Sequence, residues 1–403
     1  MININSEYKK LKKVLLHRPG WETENLTPST YERLLFDDSY YLKEAQREHD
    51  EFAKLLKSKG VEVFYLENLI AETISISKDI KENFLKEFII EGEVSHHSHL
   101  YIRVKKYLDS FKNNNELILK LMAGIRFSEL PDVGGKKSLR ELEKESNVFV
   151  LDPLPNLIFT RDPFASLGNG VTIHRMTFKT RRRETKFAEY IFKYHPDYKN
   201  TPLYYNRNRS TSIEGGDIMI LSKTDIAVGI SQRTNPDSLE KLAHNLFEDK
   251  KSKVLRIWGI SIPKGRSWMH LDTVFTQIDI NKFAIFSNYK FEIFQIAKTG
   301  SDFKITSEKM SIDQLMSKIF NIKKVTLIHC GGQDPIHSER EQWNDGSNVL
   351  AIAPNEVIAY DRNHITNDLM RKHGVIVHEI PSYELSRGRG GPRCMSMPLE
   401  RED

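Results

Sequence analysis

Five side chains of the kinds that run nucleophilic chemistry are spread along this 403-residue chain: Cys394, His270, Glu214, Asp162 and Asp272. Cys394 sits behind a glycine cluster in RGRGGPRCMSMPLERED (387–403) and is one of only two cysteines. Glycines let a backbone approach a ligand closely, so this thiol reads as a nucleophile, although a free cysteine serves equally as a small buried hydrophobe. Three upstream motifs weigh against that second reading: FTRDPF (159–164), EGGD (214–217) and MHLDT (269–273). Alternation in the strand-like run TVFTQI is expected to send His270 and Asp272 to one face. Together the five can supply a thiolate, an imidazole for proton transfer and carboxylates that grip a cation. Singly each motif says little, since Asp-Pro opens turns and a glycine pair marks a bend.

The elements that must bring these residues together recur. An apolar strand, a polar turn, an amphipathic helix and a second apolar strand follow one another five times. KVLLH (13–17), a helix near 38–59 and VEVFYL (61–66) make the first unit, with Gly60 as the helix stop. VTIH (171–174), a helix over about 183–194 and LYY (203–205) make the second; DIAVGI (225–230), a helix carrying Leu239, Leu242, Leu246 and Phe247, and VLRIWGI (254–260) make the third. FAIF (283–286), a helix near 311–320 and VTLIHC (325–330) form a less regular fourth, and VIAY (357–360), a helix with Ile365, Leu369 and Met370, and VIVHEI (375–380) form the fifth. Five such units predict an internally repeated α/β domain rather than one doubly wound sheet. Residues 74–145 depart from the pattern, with helical periodicity after a Ser77 cap, a stop at Gly124 and a loop at Pro131 and Gly134-Gly135. They read as a helical insertion between 1–73 and 146–403. His96, His97 and His99 within it fit a solvated turn better than a metal site, because no Cys or His-x3-His spacing accompanies them.

Composition excludes several classes. Sixty basic against 55 acidic side chains leave a net charge of +5, too small an excess to argue for nucleic acid. No apolar run is long enough to cross a membrane, and the N-terminus lacks a secretory pattern, so a soluble, cytoplasmic protein is expected. Two cysteines cannot make a disulfide framework, and Cys330, ending VTLIHC, reads as a core residue.

Taken as an ordered set, LLFDD (34–38), FTRDPF, GVTIHRM (170–176), EGGD, MHLDT and RGRGGPRCMSMP closely resemble the arginine deiminases over nearly the whole chain. The resemblance implies a five-bladed α/β propeller of the guanidine-modifying superfamily, the pentein fold, which the five units match independently. It implies Cys394 as nucleophile, His270 as general acid and base, Asp162 and Asp272 as grips on the guanidinium, and Glu214 as the residue orienting the histidine. Asn156, Phe159, Arg181, Arg233 and Arg389 would bind the amino-acid end of L-arginine, with Gly388 in the turn before the cysteine. Arg181 gives the basic run 179–183, otherwise a solvated helix start, a role. No metal or organic cofactor is implied, and a homo-oligomer is.

Other readings remain at this point. One is another guanidine-modifying enzyme, such as an agmatine deiminase or an amidinotransferase; Arg181, Arg233 and Arg389 argue for free arginine, whereas agmatine would need no cationic partner for an α-carboxylate. A papain-like enzyme places its cysteine ahead of its histidine, the reverse of the order here. A homologue that only binds would not need Cys394, His270, Glu214, Asp162 and Asp272 intact.

Overall fold

Five sheets of the computed structural model, which describes residues 1–403 apart from 133, 135, 136, 143–147, 287, 288 and 301, repeat one motif. In each, a central strand lies parallel to a strand reached through a helix and antiparallel to a third strand on its other side. Leu11–Leu16 pairs in parallel with Glu62–Tyr65 across the helix Leu42–Ser58, and antiparallel with the C-terminal strand Met397–Arg401. Gly170–Ile173 takes Leu203–Tyr205 and Phe164–Leu167 in the same two places, and Asp225–Ile230 takes Arg256–Ser261 and Ile218–Ile220. Lys282–Ile285 pairs with Thr326–His329 and Phe275–Asp279, and Glu356–Tyr360 with Ile376–Ile380 and Leu350–Ala353. The predicted strands and crossover helices are thus present within a few residues of their expected bounds. The central strands are buried on both faces, which is why they read as near-continuous apolar runs rather than alternating ones.

The third sheet has an addition that periodicity did not anticipate. A hairpin, Glu292–Thr299 and Asp302–Glu308, extends it beyond Arg256–Ser261. Its strands, EIFQIAKT and DFKITSE, mix polar residues into both faces because much of the hairpin is exposed or half-buried, and this blurs the strand signal.

Helices Lys78–Glu91, His99–Asp109 and Asn114–Ala123 occupy the segment read as an insertion. The Ser77 hydroxyl accepts from the Ile80 N–H as the expected cap, and Gly124 has φ +81° where a Cβ would lie 2.7 Å from the Pro153 nitrogen. Phe84 and Phe88 pack against Phe187 at centroid distances of 6.0 and 5.6 Å, so these helices share an apolar cluster with the second unit. Helix Leu66–Ser75 runs across the boundary expected at 73–74. The far boundary at 145–146, like Gly135, lies outside the described residues. His96, His97 and His99 are exposed. Among the described residues, no helix is long and apolar enough to cross a membrane.

Candidate active site

Every residue of the Cys/His/carboxylate set lies in the turn that leads into the antiparallel strand of a sheet. Asp162 precedes Phe164–Leu167, and Glu214 caps a single helical turn, Gly215–Asp217, that runs into Ile218–Ile220. His270 and Asp272 precede Phe275–Asp279, and Cys394 precedes Met397–Arg401. The expected strand alternation at His270 and Asp272 does not occur. His270 is extended, but Leu271–Thr273 forms a tight helical turn, because the Thr273 N–H and hydroxyl both return to the His270 carbonyl. Both side chains still reach the same site.

That site is buried and dense in charge. The Cys394 thiol stands 3.6 Å from Asp272 Oδ2, and His270 Nε2 is 2.9 Å from Glu214 Oε2 while its Nδ1 is 3.8 Å from Asp162 Oδ1. Each aspartate is held on one side by an arginine. Arg181 Nη1 donates to Asp162 Oδ2 at 2.9 Å, and Arg393 Nη1 donates to Asp272 Oδ2 at 2.7 Å. The other oxygen of each, Asp162 Oδ1 and Asp272 Oδ1, is buried with no hydrogen-bond partner among the described residues. A buried carboxylate oxygen left unpaired is costly, so two of them beside a thiol make a place for a cation that donates in two directions.

These charges set the protonation states. Burial opposes the charged form of His270, yet Asp162, Glu214 and Asp217 outweigh it and raise its pKa to about 9. Burial likewise opposes the Glu214 carboxylate, but Arg233, His270 and Arg181 hold it well below the usual range. Burial, followed by Asp272, Asp162 and Asp345, pushes the Cys394 thiol well above its ordinary value, against a smaller pull from Arg393. These shifts favour the protonated thiol of Cys394 and the imidazolium form of His270.

The predicted binding residues fall into two groups. Arg233 Nη1 donates to Glu214 at 3.3 Å with its guanidinium over Phe178, and Arg389 lies 3.3 Å from the Trp343 ring centroid; among the described residues, Arg233 Nε and Arg389 Nε and Nη1 have no hydrogen-bond partner. Arg389 also lines a cavity of about 1100 Å³ together with Trp268, Trp343 and Asp37. Arg181, by contrast, is engaged by Glu184 and Asp162, so here it holds Asp162 and is not an open cation. Asn156 donates from Nδ2 to the Leu34 carbonyl and Phe159 stacks on Phe36. The glycine cluster has a purpose the residues alone did not reveal. A Cβ on Gly388 would lie 1.6 Å from the Tyr40 hydroxyl and one on Gly390 2.2 Å from the Phe159 ring, so the close approach is to the protein's own side chains. Between them Arg389 adopts φ +62°, uncommon for a residue with a Cβ.

Sequence reasoning missed Arg393, Asn348, Glu184 and Glu7. Arg393 ties Asp272 to Glu7 and to the Ile218 carbonyl, a set drawn from distant parts of the chain with no local signal. Glu184, three residues after Arg181 at a helix start, had a detectable spacing.

The chain matches the arginine deiminase family over residues 32–401. It belongs to that family. An arginine deiminase of Borrelia recurrentis is 50% identical over 409 residues, covering 100% of this chain and 98% of that one, and one of Clostridium perfringens is 49% identical with the same coverage. Among solved structures, an amidinotransferase from Microseira wollei superposes with a TM-score of 0.56 at 14% identity, covering 100% of this chain and 98% of that one. DDAH from Pseudomonas aeruginosa gives 0.53 at 14%, covering 96% and 99%. At such identities the likeness is one of fold, and this arginine deiminase shares the pentein fold with them.

Proposed function

We propose that this arginine deiminase hydrolyses L-arginine to L-citrulline and ammonia through a covalent intermediate on Cys394. The observation that carries the reading is the pair of buried oxygens, Asp162 Oδ1 and Asp272 Oδ1, that have no hydrogen-bond partner among the described residues, with Asp272 at 3.6 Å from the Cys394 thiol. A guanidinium is planar and charged and its carbon is a poor electrophile, so it must be fixed in front of sulfur by bidentate partners. Its arrival offsets the carboxylates that hold the thiol protonated, and the thiol releases its proton to solvent as the thiolate forms.

Thiolate attack makes the C–S bond and a tetrahedral carbon. His270, charged at neutral pH, gives its proton to one NH2 group, which leaves as ammonia and leaves a thiouronium on sulfur. Neutral His270 then takes a proton from water, the hydroxide adds to the carbon, and the C–S bond breaks as the hydroxyl proton passes to the departing sulfur, giving citrulline and the free thiol. Glu214 keeps the ring oriented and favours the imidazolium. At the other end of the substrate, Arg233 and Arg389 have donors left over for an α-carboxylate, and Asn156, Phe159 and Gly388 shape its surroundings. Agmatine has no such carboxylate, which favours arginine. The test is citrulline and ammonia release from arginine, with agmatine and a blocked peptidyl arginine run beside it; release from agmatine at a rate matching arginine would replace this reading.

Two further outcomes follow. Arg389→Leu should lower kcat/KM for arginine about 10- to 150-fold, the worth of a charged hydrogen bond of roughly 1.5 to 3 kcal/mol, and barely alter any residual agmatine turnover. Equal losses on both substrates would place Arg389 in the chemistry or the fold. Glu214→Gln removes a negative charge that raises His270, so the high-pH limb of kcat/KM should move down from about 9. The sign is fixed: His270 is an acid only below its pKa, and lowering that pKa narrows the active range from above. An unmoved limb in the pH–rate profile would mean that another group sets it.

The five sheets fit a five-bladed propeller about the site, with 74–145 as an inserted helical domain, which we add to the proposal. Cytoplasmic residence and a homo-oligomer belong to it as well, and sedimentation of the purified protein tests the second.

A further inference from the structure

Four of the five units supply Cys394, His270, the carboxylates or Glu214 from the turn before the antiparallel strand. The fifth has Asn348 in that place, two residues before Leu350–Ala353. We propose that Asn348 is a positioning residue that fixes the Cys394 sulfur relative to the Asp272 carboxylate. The proposal rests on Cys394 as nucleophile and Asp272 as a guanidinium grip.

Asn348 is fully buried and both ends of its amide are used. Its Oδ1 accepts from the Cys394 N–H at 3.0 Å, and its Nδ2 donates to the Asp272 carbonyl at 3.0 Å. The Asn348 N–H donates to the Asp345 carbonyl at 2.9 Å, which anchors the bridge at its base. One rigid amide thereby ties together the backbones of two residues far apart in sequence, and the thiol to carboxylate distance of 3.6 Å spans that tie. Asparagine carries its acceptor and donor on one planar group a single carbon from the backbone; glutamine is one carbon longer, and a neutral imidazole sends its two nitrogens in diverging directions. Gly391 is fitted to the bridge: a Cβ there would lie 2.6 Å from the Asn348 carbonyl oxygen and 2.8 Å from Oδ1. This accounts for a glycine of the cluster that neither Tyr40 nor Phe159 explains.

Charge matters as well as shape. The thiol stands 3.6 Å from Asp272, and Asp162 and Asp345 add to the negative field on it, with Arg393 as the opposing cation. An aspartate at 348 would keep the acceptor for the Cys394 N–H, set an oxygen against the Asp272 carbonyl and add another carboxylate.

The experiment compares wild type, Asn348→Ala and Asn348→Asp by steady-state citrulline kinetics, by the pH dependence of Cys394 alkylation with iodoacetamide, and by circular dichroism. Asn348→Ala should lower kcat about 10- to 100-fold, the cost of a reacting group displaced by about 1 Å, and leave KM for arginine within about threefold, because the residues at the carboxylate end are untouched. Asn348→Asp should lower kcat by at least as much and move the alkylation midpoint to higher pH, a shift that Asn348→Ala should not show. A wild-type kcat in Asn348→Ala, a rise in KM equal to the fall in kcat/KM, or an unmoved midpoint in Asn348→Asp would overturn the proposal. Loss of the fold in both variants would do the same by assigning Asn348 to stability alone. If wild type itself made no citrulline, the parent reading would fail; wild-type turnover that survives Asn348→Ala defeats only this inference.

Discussion

Cys394→Ala is expected to abolish citrulline formation while leaving the protein folded. Removing a nucleophile from a set that works as a unit costs on the order of 10⁶-fold in kcat, because proton transfer and substrate grip have no bond to act on once the sulfur is gone. Folding should be little affected. The thiol touches Asp272 at 3.6 Å, and truncating one small buried group costs about 1 kcal/mol. Cys330 supplies the control within the same chain. Burial, with Glu341 and Asp345 adding to it, pushes its thiol up to about 12, and its sulfur accepts from the Thr366 hydroxyl at 3.5 Å instead of standing against Asp272. Cys330→Ala should therefore retain turnover, and citrulline assays on the two variants with matched thermal melts decide between the thiols. Retained turnover in Cys394→Ala would remove the nucleophile from the account.

Asp162→Asn and Asp272→Asn should each lower kcat/KM for arginine about 100-fold or more. The argument lies in the hydrogen bonds. Each carboxylate now accepts from an arginine through Oδ2 and has Oδ1 free. An amide of the same size must turn its NH2 group either toward that arginine or toward the substrate guanidinium, and in both cases a donor faces a donor. The double variant should lose less than the product of the single losses, since both residues fix one planar group and a single misplaced carbon already defeats attack. A second readout moves the opposite way. Removing either charge relieves a cause of the high Cys394 pKa, so alkylation of the free enzyme should begin at lower pH even as turnover collapses. Wild-type kcat/KM in either single variant would take that aspartate out of the grip.

Much of this was legible in the sequence, and for physical reasons. The repeated units stand out because a parallel strand buried on both faces is a continuous apolar run, and a crossover helix needs a stripe such as Leu239, Leu242 and Leu246. Cys394, His270 and the acids were legible because glycines and turn residues surround them. Arg393, Glu7 and Asn348 were not. Each acts by a contact across the fold, Arg393 to Glu7 and Asn348 to both Asp272 and Cys394, and no local pattern encodes which buried polar side chain will meet which backbone. The basic run at 179–183 is not the solvated helix start its charge alone suggests, since Arg181 and Arg183 are buried and Arg181 donates to Asp162. The strand geometry expected at His270 failed because the Leu271–Thr273 turn is set by hydrogen bonds that hydrophobic alternation does not report.

The most direct test of covalent arginine hydrolysis at Cys394 is mass spectrometry of wild-type enzyme mixed with arginine and acid-quenched within milliseconds. The peptide containing Cys394 should gain the mass of arginine less ammonia, and the gain should fade as citrulline accumulates. Arginine consumed to citrulline with no adduct on that peptide at any quench time, or with the adduct on Cys330, would contradict it.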